Sequence, residues 1–395
     1  MASGDVINTA ARPQSAAPVN GILVGETTYR ATKEVIDYRE AEPVEAKGKS
    51  APVSAWEALE ARSRLGVDMA EAQAPLVGRA HELDILRDAL NRARSRGLLQ
   101  LVTLVGVPGI GKSRLVSELF RSVEAEPDFT TWRQGRSLPY GEGVSFWALA
   151  EIVKAQAGIL ESDSAEEVER KLRAAVEQVT TEPGEADWMA SRLGNLVGTS
   201  GADDDSVAQG ESFSAWRRFL EALADRHPLV LVFEDLHWAD DGLLDFVDQL
   251  VDWARETPVL VLCTARPELL ERRPGWGGGK ANATTISLPP LEDNETAKLF
   301  SSLLDRAVLP AETQSVLLAH AAGNPLYAEQ YARMLGERGD GEELPLPETV
   351  QGIIAARLDG HSAEEKSLLQ DASVVGKVFW LGAMATVGEV DRSEA

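Results

Sequence analysis

Gly106-Val-Pro-Gly-Ile-Gly-Lys-Ser113 is the stretch on which the reading of this chain turns. It fits the spacing G-x-x-x-x-G-K-[ST], and its surroundings give that spacing a mechanism. An apolar run over 101–105 predicts a strand that feeds the loop, and helical periodicity resumes near Lys112. Glycines let the backbone curl so that successive N–H groups face phosphate oxygens. The start of the following helix adds its partial positive charge. Lys112 is placed to reach the β- and γ-phosphates, and the Ser113 hydroxyl to ligate Mg²⁺. The expected nucleotide-binding set is Gly106, Val107, Pro108, Gly109, Ile110, Gly111, Lys112, Ser113 and Arg114, with ATP or ADP and Mg²⁺ as the cofactors.

Outward from the loop, apolar runs predict strands over 101–105, 129–134, 229–233, 259–264 and 284–288, with helical patterns between them. Such alternation predicts an α/β fold with a five-stranded parallel sheet and helices on both faces. A long acidic insert over 161–211 separates the second and third strands, and its Asp203–Asp205 run reads as a solvated loop. The third strand delivers Glu234 and Asp235 to the edge that carries the phosphate loop. One carboxylate can hold the metal shell and the other can orient the attacking water. Glu234 is assigned to the metal, beside Ser113, and Asp235 to the water, although the residue types alone leave the two roles interchangeable. The fourth strand ends before Arg266, which can sense a γ-phosphate in cis. His237 reads equally as a local hydrogen-bond partner or a relay, and Trp238 reads as packing.

The composition agrees with an intracellular, soluble α/β protein. At about 100–200 residues per domain, 395 residues predict about two to four units. A net charge of −24 argues against a general nucleic-acid-coating surface, so no nucleic acid is expected to bind this chain. A single cysteine, Cys263, excludes an internal disulfide framework and fits a reducing cytoplasm. Among the 5 histidines there is no His-x-x-x-His pair. No apolar stretch approaches the ~18 residues that a membrane-spanning helix needs, so no membrane contact is expected. The N-terminus lacks a basic region followed by an apolar core, so no secretory signal is read.

At the N-terminal end, residues 6–17 and 26–32 read as helices, and 21–24, 35–45 and 52–57 as strands, with a turn at Lys47-Gly-Lys49. Residues 58–75 read as helical or linking. Leu83, Leu86 and Leu90 repeat at helical spacing. After Leu291 the strands stop, and 297–304, 311–321 and 327–335 read as helices. A polar hinge over 339–347 precedes two more, over 349–358 and 363–375.

Leu76-Val-Gly-Arg79, the phosphate loop, Phe233-Glu-Asp-Leu-His-Trp-Ala-Asp240, Thr264-Ala-Arg266 and Gly323-Asn-Pro-Leu326 occur in that order. Together they resemble the signal-transduction ATPases with numerous domains, a branch of the AAA-related P-loop ATPases. That resemblance implies a P-loop NTPase core over 75–290, a helical lid over 291–345 and the start of a winged helix over 346–395. It also implies that Val77, Gly78 and Arg79 lie over the adenine and that Pro325 packs near the nucleotide. The family often has Asp-Asp or Asp-Glu where this chain has Glu234-Asp235.

Residues 1–57 resemble a second family. Gly4-Asp-Val-Ile-Asn-Thr-Ala-Ala-Arg12, followed by Gly21-Ile-Leu-Val24 and Lys47-Gly-Lys49, is similar to the tail of a class III adenylate/guanylate cyclase domain, with a linker over 58–74. In that family the Asn-x-x-x-Arg pair shares a helix face. The resemblance gives Asn8 the ribose and Arg12 the charge on the transferring phosphate. The family's metal-binding aspartates precede this motif, and Pro13 would kink or end its helix. The cyclase half is therefore expected to be inactive by itself.

The leading expectation is an ATP-driven regulatory switch joined to an adenylate cyclase, the parent making cyclic AMP in the cytoplasm. A protein partner or self-association is expected only through regions outside the chain. A second expectation, from another class, is a transcription regulator driven by the same ATPase. A third is a scaffold whose nucleotide is structural.

Overall fold

The computed structural model describes residues 22–25, 29, 36–44, 53–61, 75–126, 128–138, 145–160, 163–198, 206–253, 257–304, 311–337 and 369. The chain divides into two compact units. One takes Met1–Ala70, Glu82–Gly106 and Val116–Ser287, and the other takes Glu71–His81, Val107–Leu115 and Leu288–Ala395.

The first unit carries two sheets. Strands β1 (Ile22–Gly25), β2 (Ile36–Val44) and β3 (Val53–Ala61) form an antiparallel sheet in the order β1-β3-β2. Tyr29 stacks on Trp56 with ring centroids 4.4 Å apart and meets Tyr38 edge-on. Strand β3 continues through Ala61, where Ala58 pairs with both Ile22 and Tyr38. This corrects the reading of 58–61 as helical or linking: pairing on both sides of β3 overrides the helix propensity of alanine and glutamate. The expected helix over 6–17 and the Lys47–Lys49 turn lie outside the described residues, as do Asn8 and Arg12.

The larger sheet is parallel. It contains β4 (Gln100–Val105), β5 (Thr131–Arg136), β6 (Leu229–Glu234), β7 (Val259–Ala265) and β8 (Ala283–Ser287), in the order β5-β6-β7-β4-β8. Every residue of β4, β6 and β7 is buried. Their largely apolar sequences are what strands covered on both faces require, and each buried Leu, Val or Phe contributes about 1.5–3 kcal/mol of transfer free energy. Helices α1 (Ala80–Arg96), α2 (Lys112–Glu124) and α3 (Trp147–Ala157) follow in chain order around β4 and β5.

The acidic insert is largely helical, which the charge pattern concealed. It forms α4 (Ala165–Val179), α5 (Pro183–Val197) and the start of α6 (Ser206–Ala224). A Ser164–Glu167 capping box opens α4, and Pro183 opens α5. Leu172, Val176, Met189 and Leu193 are buried in the same core as Leu229 and Leu231 of β6. The Asp203–Asp205 run lies outside the described residues. Helices α7 (Asp241–Trp253) and α8 (Glu268–Arg272) complete this unit.

The second unit contains α9 (Asp293–Leu303), α10 (Ala311–Ala321) and α11 (Pro325–Glu337) around a core of Leu299, Phe300, Leu317, Tyr331 and Met334. Two of these helices begin before the apolar periodicity does, because caps start them. A Glu292–Glu295 capping box opens α9, and Asn324-Pro325 opens α11. The expected hinge, the last two helices and the winged-helix start fall outside the described residues, apart from Leu369.

Candidate nucleotide-binding site

In the first unit the chain leaves β4 at Gly106, whose N–H donates to the Ala265 carbonyl of β7 at 3.1 Å. The segment that follows belongs to the second unit. Ile110 is buried, and its N–H closes a turn on the Val107 carbonyl. Gly109 and Gly111 have φ of 79° and 105°, a region that residues bearing a Cβ rarely adopt. Lys112 is buried at the start of α2, and its ammonium donates to the Val107 carbonyl at 3.1 Å. Ser113 is exposed on the next position, and Arg114 is half-buried.

The same unit brings the Gly323–Leu326 segment to this loop. Asn324 donates from Nδ2 to the Pro108 carbonyl at 3.0 Å, and the Leu326 N–H donates to the Gly109 carbonyl at 3.3 Å. Pro325 sits half-buried between these contacts. Val77 packs against the helical core of Leu299, Phe300 and Tyr331. Gly78 has φ of 66°, and a Cβ there would come within 2.6 Å of both Glu295 carboxylate oxygens. Arg79 is buried with its guanidinium on the Pro289 carbonyl. Val77, Gly78 and Arg79 therefore tie the segment before α1 to α9 and the helical core of the second unit.

The carboxylates lie on the first unit, at the carboxyl end of its sheet. Glu234 ends β6 and is 3% exposed. Arg136, the register partner of Glu234 at the end of β5, converges on Glu234 Oε2 with Nε at 3.0 Å and Nη2 at 2.6 Å. Arg136 Nε is also 3.8 Å from Asp235 Oδ2. Burial lowers the pKa of this guanidinium, but Glu234, by charge and hydrogen bond, with Asp235 and Glu151 behind it, outweighs that and holds it above its ordinary value. Glu151 on α3 accepts the Arg136 backbone N–H at 2.8 Å. Burial pushes its own carboxyl above the ordinary value, and the Arg136 contact pulls it only partly back.

Asp235 has φ of 57°, and its N–H donates to Thr264 Oγ1 at 3.1 Å. This left-handed step at the strand end turns the chain into a 3₁₀ turn over Leu236–Trp238. Asp240 holds that turn, accepting the Leu243 N–H at 3.0 Å and the Phe146 N–H at 2.8 Å. Arg272 binds the His237 and Ala239 carbonyls from α8. His237 is buried, whereas Trp238 is 44% exposed, with the Arg266 guanidinium 5.7 Å from its ring centroid. The Trp238 ring also lies 5.0 Å from the His237 ring, so it is partly packed and partly at the surface. Cys263 is fully buried, which pushes its thiol up and out of nucleophile chemistry.

Sequence reasoning missed Arg136 and Glu151, and it quoted Thr264 and Asn324 within motifs without giving either a role of its own. The signal for Arg136 was strand register: β5 runs over Thr131–Arg136, two residues later than the apolar run suggested, because Phe129 is exposed against His227 rather than in the sheet. Among the described residues no group of three or more His, Cys, Asp or Glu side chains could hold a metal. A magnesium site of one or two acids, a hydroxyl and phosphate oxygens is compatible with that. Among those residues, too, no helix is long and apolar enough to cross a membrane.

Residues 75–262 match the model of the AAA ATPase domain. An uncharacterised protein of Rhizobium meliloti (strain 1021) is 26% identical over 358 residues, covering 88% of this chain and 34% of that protein. The chain thus spans about a third of the length of this curated relative. Among solved structures, a signal transduction ATPase with numerous domains from Pyrococcus horikoshii, bearing a tetratricopeptide repeat sensor, aligns with a TM-score of 0.45 at 16% identity. That alignment covers 81% of this chain and 38% of the other. The Aeropyrum pernix ORC1 protein in complex with DNA aligns with a TM-score of 0.44 at 14% identity, covering 84% and 82%. The segment that matches the AAA ATPase domain thus carries the glycine loop and strands β4, β5 and β6 of the five-stranded parallel sheet.

Proposed function

We propose that the chain is an ATP-binding, slowly hydrolysing switch, and that its state biases the activity of an attached nucleotide cyclase. The observation that carries the switch is the loop itself: two glycines in left-handed conformations and a buried Lys112 at the start of α2. The Lys112 ammonium is directed at the Val107 carbonyl within the loop, and a nucleotide phosphate would be a stronger, charged acceptor there. Ser113 and Glu234 would hold Mg²⁺, which when bound neutralises phosphate charge. Asp235 orients water and Arg266 senses the γ-phosphate. Arg136 already holds Oε2 of Glu234, so this acid would share its charge between the metal and the guanidinium. Val77, Gly78, Arg79 and Pro325 bound the adenine side.

Isothermal titration of wild type and Lys112→Ala with ATP and ADP, each with Mg²⁺, tests this reading. The expected outcome is binding that the substitution largely abolishes; equal affinities would sink the reading.

The finer reading makes this module part of a protein that converts ATP to cyclic AMP in the cytoplasm. Its support is the Asn8–Arg12 pattern and the antiparallel β1-β3-β2 sheet that follows it. Residues 346–395 are read as the start of a winged helix. Two-metal phosphoryl chemistry needs carboxylates that residues 1–57 do not supply in the family's pattern. Purified chain is therefore expected to make little or no cyclic nucleotide. Cyclic AMP formation that Arg12→Ala abolishes would overturn that expectation.

A further inference from the structure

We propose that Asn324 is a positioning residue for the phosphate loop: it latches the lid to the loop and sets the direction of the Gly109 N–H. The proposal rests on the nucleotide reading above and deepens it. The Asn324 side chain has two partners. Its Oδ1 accepts the Leu326 N–H at 3.1 Å, which caps α11, and its Nδ2 donates to the Pro108 carbonyl at 3.0 Å. A carbonyl only accepts and an N–H only donates, so these partners fix the orientation of the amide.

The Pro108 carbonyl and the Gly109 N–H belong to one peptide plane. Among the described residues no peptide bond is cis, and in a planar trans peptide the C=O and N–H point in opposite directions. Holding the Pro108 oxygen toward the lid therefore turns the Gly109 N–H away from it, free to face an anion. The Leu326 N–H holds the next plane through the Gly109 carbonyl, and the Ile110 N–H of that plane closes the turn on Val107. Glycine at 109 is what permits the approach: a Cβ there would stand 2.6 Å from Leu326 Cβ and 2.8 Å from Asn324 Oδ1.

The lid thus reads the loop through its carbonyls, on the side opposite the phosphate donors. A lid that binds only the phosphate-ready loop raises nucleotide affinity, and by reciprocity the nucleotide raises lid engagement by the same factor. This coupling needs no lid contact to the nucleotide.

The full chain and two variants test it. Asn324→Ser keeps a hydroxyl that caps α11 but is too short to replace the amide donor; Asn324→Ala removes both functions. Each is titrated with ADP, melted, and probed by amide hydrogen exchange over 106–111 and 324–337, with and without ADP. Loss of one hydrogen bond predicts about fivefold weaker ADP binding in both variants. Both variants are also expected to exchange 106–111 faster without nucleotide and to lose ADP-induced protection of 324–337. Asn324→Ser should melt as wild type does, so a split between affinity and melting separates the latch from the cap. Unchanged exchange over 106–111 in nucleotide-free Asn324→Ser overturns the proposal, as does wild-type affinity in that variant. Wild-type protein that binds no ADP overturns the nucleotide reading instead, and the nucleotide-free exchange then decides the latch alone.

Discussion

In the second unit the functional groups are held by main chain. Pro108, Gly109 and Val107 offer carbonyls to Asn324, Leu326 and Lys112, and glycines at 78 and 109 admit neighbours that a Cβ would exclude. At the carboxyl edge of the first unit they are held by charge instead. Arg136 grips Glu234, Glu151 grips the Arg136 backbone, and Asp240 and Arg272 staple the turn that follows Asp235. Backbone contacts tolerate little change of shape and are indifferent to pH. Ion pairs tolerate a changed side chain but respond to charge. The first kind suits a loop that must present N–H donors in a fixed array, and the second suits acids whose partners must be exchangeable.

The sharpest way to break this contrast is Gly109→Ala. The methyl meets Leu326 and Asn324, and the φ of 79° disfavours it. ADP affinity is expected to fall about 100-fold, read by titration, with the sheet of the first unit intact by circular dichroism. Wild-type affinity in this variant would show that the loop does not depend on its close approach to the lid.

Next come the two acids. Asp235→Asn should leave ATP affinity within a fewfold and cut kcat by roughly 10²-fold, as expected for a lost general base. Glu234→Gln should instead weaken Mg²⁺-dependent binding. Steady-state kinetics and titration of both variants would show the reverse pattern if Asp235 is the metal ligand, and no change in either if the site does not hydrolyse.

A smaller effect is expected from Arg136→Met, and it belongs to stability. It leaves a buried carboxylate without its ion-pair partner, a loss of about 2 kcal/mol that denaturant unfolding would measure. ADP affinity should stay within a fewfold. A variant as stable as wild type would mean that the pair does not hold the edge.

The smallest effect concerns Glu151, whose folded pKa lies above its ordinary 4.5. A group raised in this way contributes stability that is fully present below the unfolded value and lost as pH rises through the folded one. Glu151→Gln should flatten that part of the stability–pH curve and be neutral or slightly stabilising at pH 7. A curve unchanged by the substitution would show that burial does not govern this carboxyl.

Much of the core was legible because its signals are local. Continuous apolar runs mark β4, β6 and β7, and the glycine–lysine spacing marks the loop, since strand burial and phosphate geometry each act within a few residues. The insert over 161–211 was less legible: its acidic surface masked the stripe of Leu172, Val176, Met189 and Leu193 that packs into the core. Charge on one helix face says nothing about the other.

The sequence by itself determined the parallel α/β sheet, the loop that begins at Gly106, the acids at the end of β6 and the helices α9, α10 and α11. Only the tertiary structure decided that Arg136 faces Glu234, because that pairing depends on the register between two strands 98 residues apart in sequence. It likewise decided that Asn324 reaches Pro108 across 216 residues and that Val77, Gly78 and Arg79 join the lid. Short-range patterning specifies which elements form. Which side chains meet depends on register and packing between elements far apart in the chain, and no periodicity within either element encodes it.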